Sequence, residues 1–411
     1  MRILLIHQYY NGINEPGGSR WSEITKTWSE LENEIVVLSG MVDYTQGIKR
    51  DIYKRKIFLK ENPEKNIIVV RCHVSEAYNV NFLGRLWAYF SFVFSSTFAG
   101  LFKISGKFDI IIVTSPPLFV GITAYIISLV KRTPFIFEIR DLWPESAIDT
   151  GVLTNKSLIK FAYWFESFLY KKAKLINVLT PAFKQNLIEK KNVSESKISY
   201  IPNAADFSLT ESLVENFDVK AYRKSLGIDN NFVIVYVGAH GVANHLVQIL
   251  DTAEKLTDTN VLFMLIGDGM LKQGLINDAQ NRNLKNVRFI DSVPKKDIFK
   301  YILASDMGTS VLKKNDTFKT VYSNKTFDYM SCKKPILMAI DGVSRTLVEE
   351  AEAGVFVEPE NAFDFEQKIR YYLNNPQIAI KQGNNGYVYA KTYFDRSVLA
   401  KKYIKIVEQC I

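Results

Sequence analysis

Cysteine is scarce in this sequence. Cys72, Cys332 and Cys410 are odd in number and far apart, which excludes a disulfide framework and any CxxC metal site. That usage fits a reducing, cytosolic compartment. Low-complexity linkers are lacking too, because the 12 prolines and 21 glycines mark turns without forming a low-complexity run. A secretory leader is not expected. The apolar run Ile3-Leu4-Leu5-Ile6 is too short, and His7-Gln8-Tyr9-Tyr10 offers no small-residue cleavage site, so the start is expected to be a buried first strand. No nucleic-acid motif accompanies the net charge of +9, which leaves an anionic membrane surface or phosphorylated ligands as its partners.

What is present is a globular composition, 47% hydrophobic and 23% charged over 411 residues, long enough for two cores. Short β-rich apolar runs alternate with helical-period segments, the pattern of βαβ units and parallel sheets. The first half supplies candidate strands at Ile3–Ile6, Ile35–Leu38, Ile67–Val70, Ile110–Val113, Phe135–Glu138, Leu175–Leu179 and Lys197–Ile201. The pattern restarts with Phe232–Val237, Val261–Ile266, Val287–Ile290, Met307–Val311, Pro335–Ala339 and Gly354–Val357. These runs predict two doubly wound α/β domains in series, residues 1–205 and 206–387, with a hinge over Ile201–Asp206. The basic helical segment Val388–Ile411 is expected to pack back on one of them.

From Leu86 to Phe102 there is no charge at all, and the stretch carries Trp87, Tyr89, Phe90, Phe92, Phe94, Phe98 and Phe102. It is short of the roughly 20 residues of a spanning helix and contains serines, so it is either an interfacial helix or a core helix of the first domain. A second candidate places Leu158, Phe161, Ala162, Phe165, Phe168 and Leu169 at helical spacing, with the same two readings.

Several loops have the chemistry of anion binding. Gly17 and Gly18 follow the first strand and precede a helix whose Trp21, Ile24, Trp28 and Leu31 repeat at helical spacing. A glycine loop at a helix N-terminus lets backbone N–H groups approach a phosphate, although a plain turn would use the same residues. Arg20 opens that helix, where its charge opposes the dipole, so an anionic partner is expected for it. Gly238-Ala239-His240-Gly241 follows the first strand of the second domain, with His245 close behind. No carboxylate or thiol lies nearby to complete a metal site, so the histidines either hydrogen-bond a ligand or are structural. Gly267-Asp268-Gly269 caps the next strand at its carboxyl end, where open α/β sheets bind ligands. Ser323 or Asn324 caps a helix containing Lys325, Thr326 and Asp328. Its N-terminus and Lys325 suit a diphosphate, and Asp328, one turn on, suits a ribose diol.

In order and spacing these segments resemble the family 4 glycosyltransferases, the retaining, metal-independent branch of the GT-B superfamily. The segment Phe137-Glu138-Ile139-Arg140-Asp141-Leu142-Trp143-Pro144-Glu145-Ser146, with Gly238-Ala239-His240-Gly241, is similar to bacterial O-antigen and capsule transferases of the L-fucosamine transferase type. The resemblance implies two Rossmann-like domains facing each other across a cleft, a nucleotide-sugar donor, UDP-linked by expectation, and a glycan or polyprenyl-diphosphate-linked acceptor. It also implies a peripheral place on the cytoplasmic membrane surface and no cofactor or metal. Glu138, Arg140, Asp141 and Lys325 are then the candidate catalytic residues. Gly17, Gly18, Arg20, Gly238, His240, Gly241, Gly267, Asp268, Asn324, Lys325, Thr326 and Asp328 are the candidate nucleotide-sugar ligands. Two positions depart from the family pattern. Thr320 stands where many members have a glutamate, and Arg140 stands where a histidine usually precedes Asp141. The competing readings are a hydrolysing UDP-sugar 2-epimerase and a non-catalytic, membrane-associated transferase-like subunit.

Overall fold

The computed structural model describes residues 1–12, 19–42, 48–149 and 151–411. The chain forms two compact units that divide between Pro202 and Asn203, with the C-terminal stretch Ser397–Ile411 belonging to the first. The division precedes the expected 205/206 boundary because Ala204 and Ala205 are tied into the second unit. The Ala205 N–H donates to Phe394 O (2.9 Å) and its carbonyl accepts from Arg396 N–H (3.0 Å). Likewise the expected single segment 388–411 is broken at Phe394-Asp395, and only the part beyond Arg396 joins the first unit.

The first unit carries an eight-stranded sheet, in strand order 3-4-2-1-5-6-7-8. Its strands are β1 (Arg2–Ile6), β2 (Glu34–Gly40), β3 (Phe58–Glu64), β4 (Ile67–Cys72), β5 (Ile110–Ser115), β6 (Phe135–Ile139), β7 (Leu175–Val178) and β8 (Ile198–Tyr200). All pairs are parallel except β3 with β4. Periodicity missed β3. Its residues, Phe-Leu-Lys-Glu-Asn-Pro-Glu, scarcely alternate and include Pro63, which is tolerated because an edge strand needs ladder bonds on one side only.

The connecting helices are α1 (Arg20–Glu30), α2 (Phe82–Phe98), α3 (Val120–Lys131), α4 (Glu145–Asp149), α5 (Lys156–Lys172) and α6 (Pro181–Glu189). In α1 the expected stripe holds for Trp21, Ile24 and Trp28, which are buried, whereas Leu31 is exposed. The indole N–H of Trp28 donates to Ala400 O (2.8 Å), and both tryptophan rings contact Tyr403, so the C-terminal helix seals this face.

The uncharged stretch is a helix with two faces. Ala88, Ser91, Phe92, Val93 and Ser96 are buried, while Leu83, Trp87, Phe94 and Phe98 are exposed, and one π-helical turn beyond α2 places Phe102 at 71% exposure. Helix α5 behaves alike. Ala162, Phe165 and Leu169 are buried, but Leu158 and Phe161, expected on the same stripe, are exposed together with Trp164. Among the described residues no helix is long and apolar enough to cross a membrane.

The second unit has six parallel strands in order 11-10-9-12-13-14. They are β9 (Phe232–Val237), β10 (Val261–Ile266), β11 (Val287–Ile290), β12 (Met307–Val311), β13 (Ile336–Ala339) and β14 (Gly354–Phe356). Its helices are α7 (Phe207–Val214), α8 (Val219–Leu226), α9 (Val247–Lys255), α10 (Lys272–Asn281), α11 (Lys295–Leu303), α12 (Asn324–Ser331), α13 (Val343–Glu350), α14 (Ala362–Asn374) and α15 (Pro376–Tyr393), and α16 (Arg396–Glu408) closes the chain. Strand order reverses beside the central β9 here and beside β1 in the first unit. Doubly wound sheets bind ligands at the carboxyl ends flanking such reversals.

Candidate functional site

In the second unit, three glycine positions let two loops meet at the reversal. Gly238, Gly267 and Gly269 all have positive φ, at 145°, 146° and 158°. A Cβ on Gly267 would lie 2.0 Å from Gly238 O, and one on Gly269 would lie 2.6 Å from His240 O, so only glycine fits. The contact is locked by His240 N–H to Asp268 O (2.9 Å) and Leu271 N–H to His240 O (3.0 Å). Asp268 itself is engaged in holding the loops, since Lys272 (2.9 Å) and the Ser292 N–H (3.0 Å) donate to its carboxylate. Among the described residues, the N–H groups of Ala239 and Gly241 make no hydrogen bond.

Lys325 enters from α12, which follows β12 on the other side of β9. Its ammonium stands 4.7 Å from the Tyr236 ring centroid and would be 3.6 Å from a Cβ on Gly238. Desolvation lowers its pKa to about 8 against a weaker opposing pull from Asp328, one turn further on. A cation held there without an ion pair among the described residues is a site for an anion. The α12 N-terminus adds two N–H groups, those of Asn324 and Lys325, with no backbone partner among the described residues. Asn324 is exposed, and its side-chain oxygen accepts from Asn203 (2.5 Å).

Two expected ligands in this unit have other work. Thr326 is fully buried, with its hydroxyl against Ser310 Oγ (3.2 Å) and its N–H bonded to Ser323 O (3.1 Å), so it anchors α12 from beneath. The His240 ring is also fully buried, against Tyr236 and Phe289, and neither ring nitrogen has a hydrogen-bond partner. Burial pushes its pKa down to about 4, so the ring is neutral, and it is the loop backbone around it that faces outward.

The first unit corrects the expectation for Arg20. Its anionic partner is internal. Arg20 and Glu138 are 4% and 0% exposed and form a two-pronged pair, Nη2 to Oε2 at 2.9 Å and Nε to Oε1 at 3.2 Å. The rest of the guanidinium donates to the carbonyls of Ile201 and Pro202, while Thr114 and Asn177 donate to Glu138. Both residues therefore fasten α1, β6 and the end of the first unit together. The sign of the partner was legible in the sequence, but its location was not. Gly17 and Gly18 lie outside the described residues.

Arg140 and Asp141 follow β6. Arg140 Nη1 lies 3.3 Å from His7 Nε2, at the end of β1. A histidine is thus present beside the Arg140 position after all, delivered by a different strand. His7 is buried, and burial and the charges of Arg140 and Arg71 hold its pKa well below the usual imidazole value. Burial lifts the Asp141 carboxyl to about 6 against hydrogen bonds from Ser146 and the Leu142 N–H. The segment is braced from behind by a cluster that sequence reasoning missed. Lys191 contacts Glu145 (2.5 Å) on α4 and Glu166 (2.7 Å) on α5, and Tyr170 donates to Glu166 (2.8 Å). Burial raises Glu166 to about 7.

Two family models match successive parts of the chain. Residues 61–204 match the model described as "Glycosyl transferase 4-like domain", and residues 218–389 match "Glycosyl transferases group 1". A protein of Escherichia coli strain K12 named for colanic acid biosynthesis, the glycosyl transferase WcaI, is 24% identical over 293 residues, covering 70% of this chain and 71% of its own. Among solved structures, Anabaena HepE in complex with UDP-glucose superposes with a TM-score of 0.73 at 18% identity over 100% of both chains. WaaG, a glycosyltransferase involved in lipopolysaccharide biosynthesis, does so with 0.72 at 14% identity over 98% of this chain and 99% of its own. One glycosyltransferase model on each unit, over a two-sheet fold shared along the whole length with such enzymes, places this chain among the GT-B glycosyltransferases of family 4.

Proposed function

We infer that the chain transfers a sugar from a UDP-sugar to a lipid-linked or oligosaccharide acceptor during surface polysaccharide assembly, with retention of configuration and without a metal. The observation that carries this reading is Lys325, a desolvated ammonium with no ion pair among the described residues, set against the Gly238 loop and the N–H groups at the start of α12 that have no backbone partner among them. Breaking the bond from the anomeric carbon to the diphosphate leaves negative charge on the departing oxygen, and preorganised N–H groups with a fixed cation stabilise it. Lys325 and the backbone N–H groups of Ala239, Gly241, Asn324 and Lys325 supply that stabilisation, and Asp328 is assigned to the ribose hydroxyls. The UDP-bound state of HepE and the colanic acid and lipopolysaccharide roles named for WcaI and WaaG support the nucleotide and the pathway class.

A membrane surface as the acceptor's location is supported by the first unit. A run of ring contacts passes from Phe94 through Phe90, Phe119, Phe165 and Phe161 to Trp164, joining the exposed aromatic residues of α2 to those of α5. Trp87, Phe94 and Trp164 are 55%, 63% and 61% exposed, and Lys103 and Lys160 lie on the same segments. Aromatic residues flanked by lysines suit an anionic bilayer interface.

The test is a melting-temperature panel with UDP, GDP and ADP, followed by transfer from the preferred sugar nucleotide with and without EDTA. Stabilisation by UDP, EDTA-resistant transfer and a product of unchanged anomeric configuration by NMR are expected. UDP release without any acceptor, yielding a 2-epimerised sugar, would replace the reading with the epimerase one.

A further inference from the structure

The helix that carries Lys325 begins without a side-chain cap. Ser323 stands at the capping position of α12, where a serine ordinarily accepts from the second or third N–H of its helix. Its side chain makes no such bond. It is buried and donates to Ser310 Oγ (3.3 Å), while the Ser323 N–H donates to Ser344 Oγ (3.1 Å). This inward turn accompanies the two N–H groups, of Asn324 and Lys325, that have no backbone partner among the described residues.

Asn324 is placed to close that opening. It is exposed, and an asparagine carboxamide readily accepts through its oxygen from neighbouring backbone N–H groups. Here the oxygen is drawn away, because Oδ1 accepts from Asn203 Nδ2 (2.5 Å), 121 residues earlier in the chain. The other end of the carboxamide, Nδ2, is a donor with no hydrogen-bond partner among the described residues. Asn203 is fixed in turn by the segment that follows it. The Ala205 N–H donates to Phe394 O (2.9 Å), Ala205 O accepts from the Arg396 N–H (3.0 Å), and the Arg396 guanidinium donates to Ala204 O. The Asp206 carboxylate accepts from the Leu209 N–H (3.2 Å) and from Lys295 (3.3 Å). A side chain rooted in backbone held on both sides can keep another group within about 0.5 Å of one position.

The start of α12 thus offers two backbone N–H groups, the Asn324 Nδ2 and the Lys325 ammonium, with the one competing side-chain oxygen tied back. Donors gathered at a helix N-terminus suit an anion with several oxygens. We propose that Asn203 is a positioning residue of the diphosphate site, keeping Asn324 Oδ1 off the start of α12 so that Asn324 Nδ2 donates to a phosphate oxygen of the sugar nucleotide. The proposal rests on the transferase reading and adds to it a residue that acts on the nucleotide through another side chain.

The experiment titrates UDP calorimetrically against the full chain, on wild type, Asn203→Ala, Asn203→Asp, Asn324→Ala and the double alanine variant. Asn203 is half-buried and Asn324 exposed, so the variants are expected to fold, and Asn324→Ala tests the same link from its solvent end. Each single alanine change should weaken UDP about three- to tenfold, the value of one hydrogen bond. The double variant should bind no more than about twofold worse than the weaker single one, as expected of residues acting through one link. Asn203→Asp separates positioning from structure. A carboxylate only accepts, so it keeps a bond to Asn324 by taking Nδ2, turns Oδ1 towards the N–H groups, and adds a negative charge. This variant should melt within a few degrees of wild type and yet bind UDP about thirtyfold or more weakly. A merely structural role predicts the opposite order, with aspartate binding UDP better than alanine. That order, unchanged affinity in Asn203→Ala, or losses that multiply in the double variant would each overturn the proposal. Wild type that does not bind UDP removes the transferase reading and the proposal with it, whereas UDP binding by wild type and variants alike removes this proposal alone.

Discussion

Replacing Lys325 by methionine separates the cost of the buried charge from its use. Desolvation moves the ammonium from 10.5 to about 8, a difference of about 2.5 units or about 3 kcal/mol. The folded value lies below the unfolded one. The penalty is therefore fully present below pH 8 and is relieved as pH rises from 8 to 10.5, where the unfolded chain still holds the proton. Methionine keeps the apolar stem and removes the charge, but forfeits the contact with the Tyr236 ring, worth about 1 kcal/mol. The variant without nucleotide should thus gain about 1–2 kcal/mol at pH 7, a rise of several degrees in the melting of the second unit. Its UDP affinity should fall about 10- to 100-fold, the value of a hydrogen bond to a charged group. Calorimetric titration from pH 7 to 9.5 completes the assay. Wild-type affinity should decline above pH 8 while that of the methionine variant stays flat. A methionine variant that melts lower and binds UDP as wild type does would refute the reasoning.

Other perturbations test the remaining assignments. Arg20→Met leaves Glu138 buried without its partner, so urea denaturation should show a loss of about 3–5 kcal/mol in the first unit while UDP affinity stays within twofold. A large loss of UDP affinity in folded protein would return Arg20 to the nucleotide site. Lys191→Met should destabilise more at pH 8 than at pH 5, by denaturant titration at both. The folded Glu166 value near 7 lies above its unfolded one, so the cost of its charge appears as pH rises from 4.5 through 7. Equal losses at the two pH values would count against that account. Trp87→Glu with Phe94→Glu, both exposed, should abolish sedimentation with anionic vesicles while leaving the melting temperature within a few degrees. Unchanged vesicle binding would remove the membrane from the proposal.

The sequence by itself determined the parallel strands of both sheets, because strands buried on both faces are written as uninterrupted apolar runs that no solvent-facing requirement dilutes; the antiparallel edge strand β3 carries no such run. It also marked the glycine turns at Gly238 and Gly267, while the reason only glycine fits at Gly267, the close approach of Gly238 O, is tertiary. It marked Lys325 and Arg20 as charges out of place, again from local position relative to a helix N-terminus. Tertiary structure decided which of the two is available. Arg20 meets Glu138 from β6, more than a hundred residues on, whereas Lys325 stands against the Tyr236 ring and a glycine loop and has no ion pair among the described residues. It turned Thr326 and the His240 ring inward and brought His7 to Arg140 from another strand. It also brought Asn203 to Asn324, from segments that share no motif. Local sequence fixes backbone conformation and the direction of burial. Whether a charge or an amide finds a partner depends on residues that only the folded sheet order brings within hydrogen-bond distance.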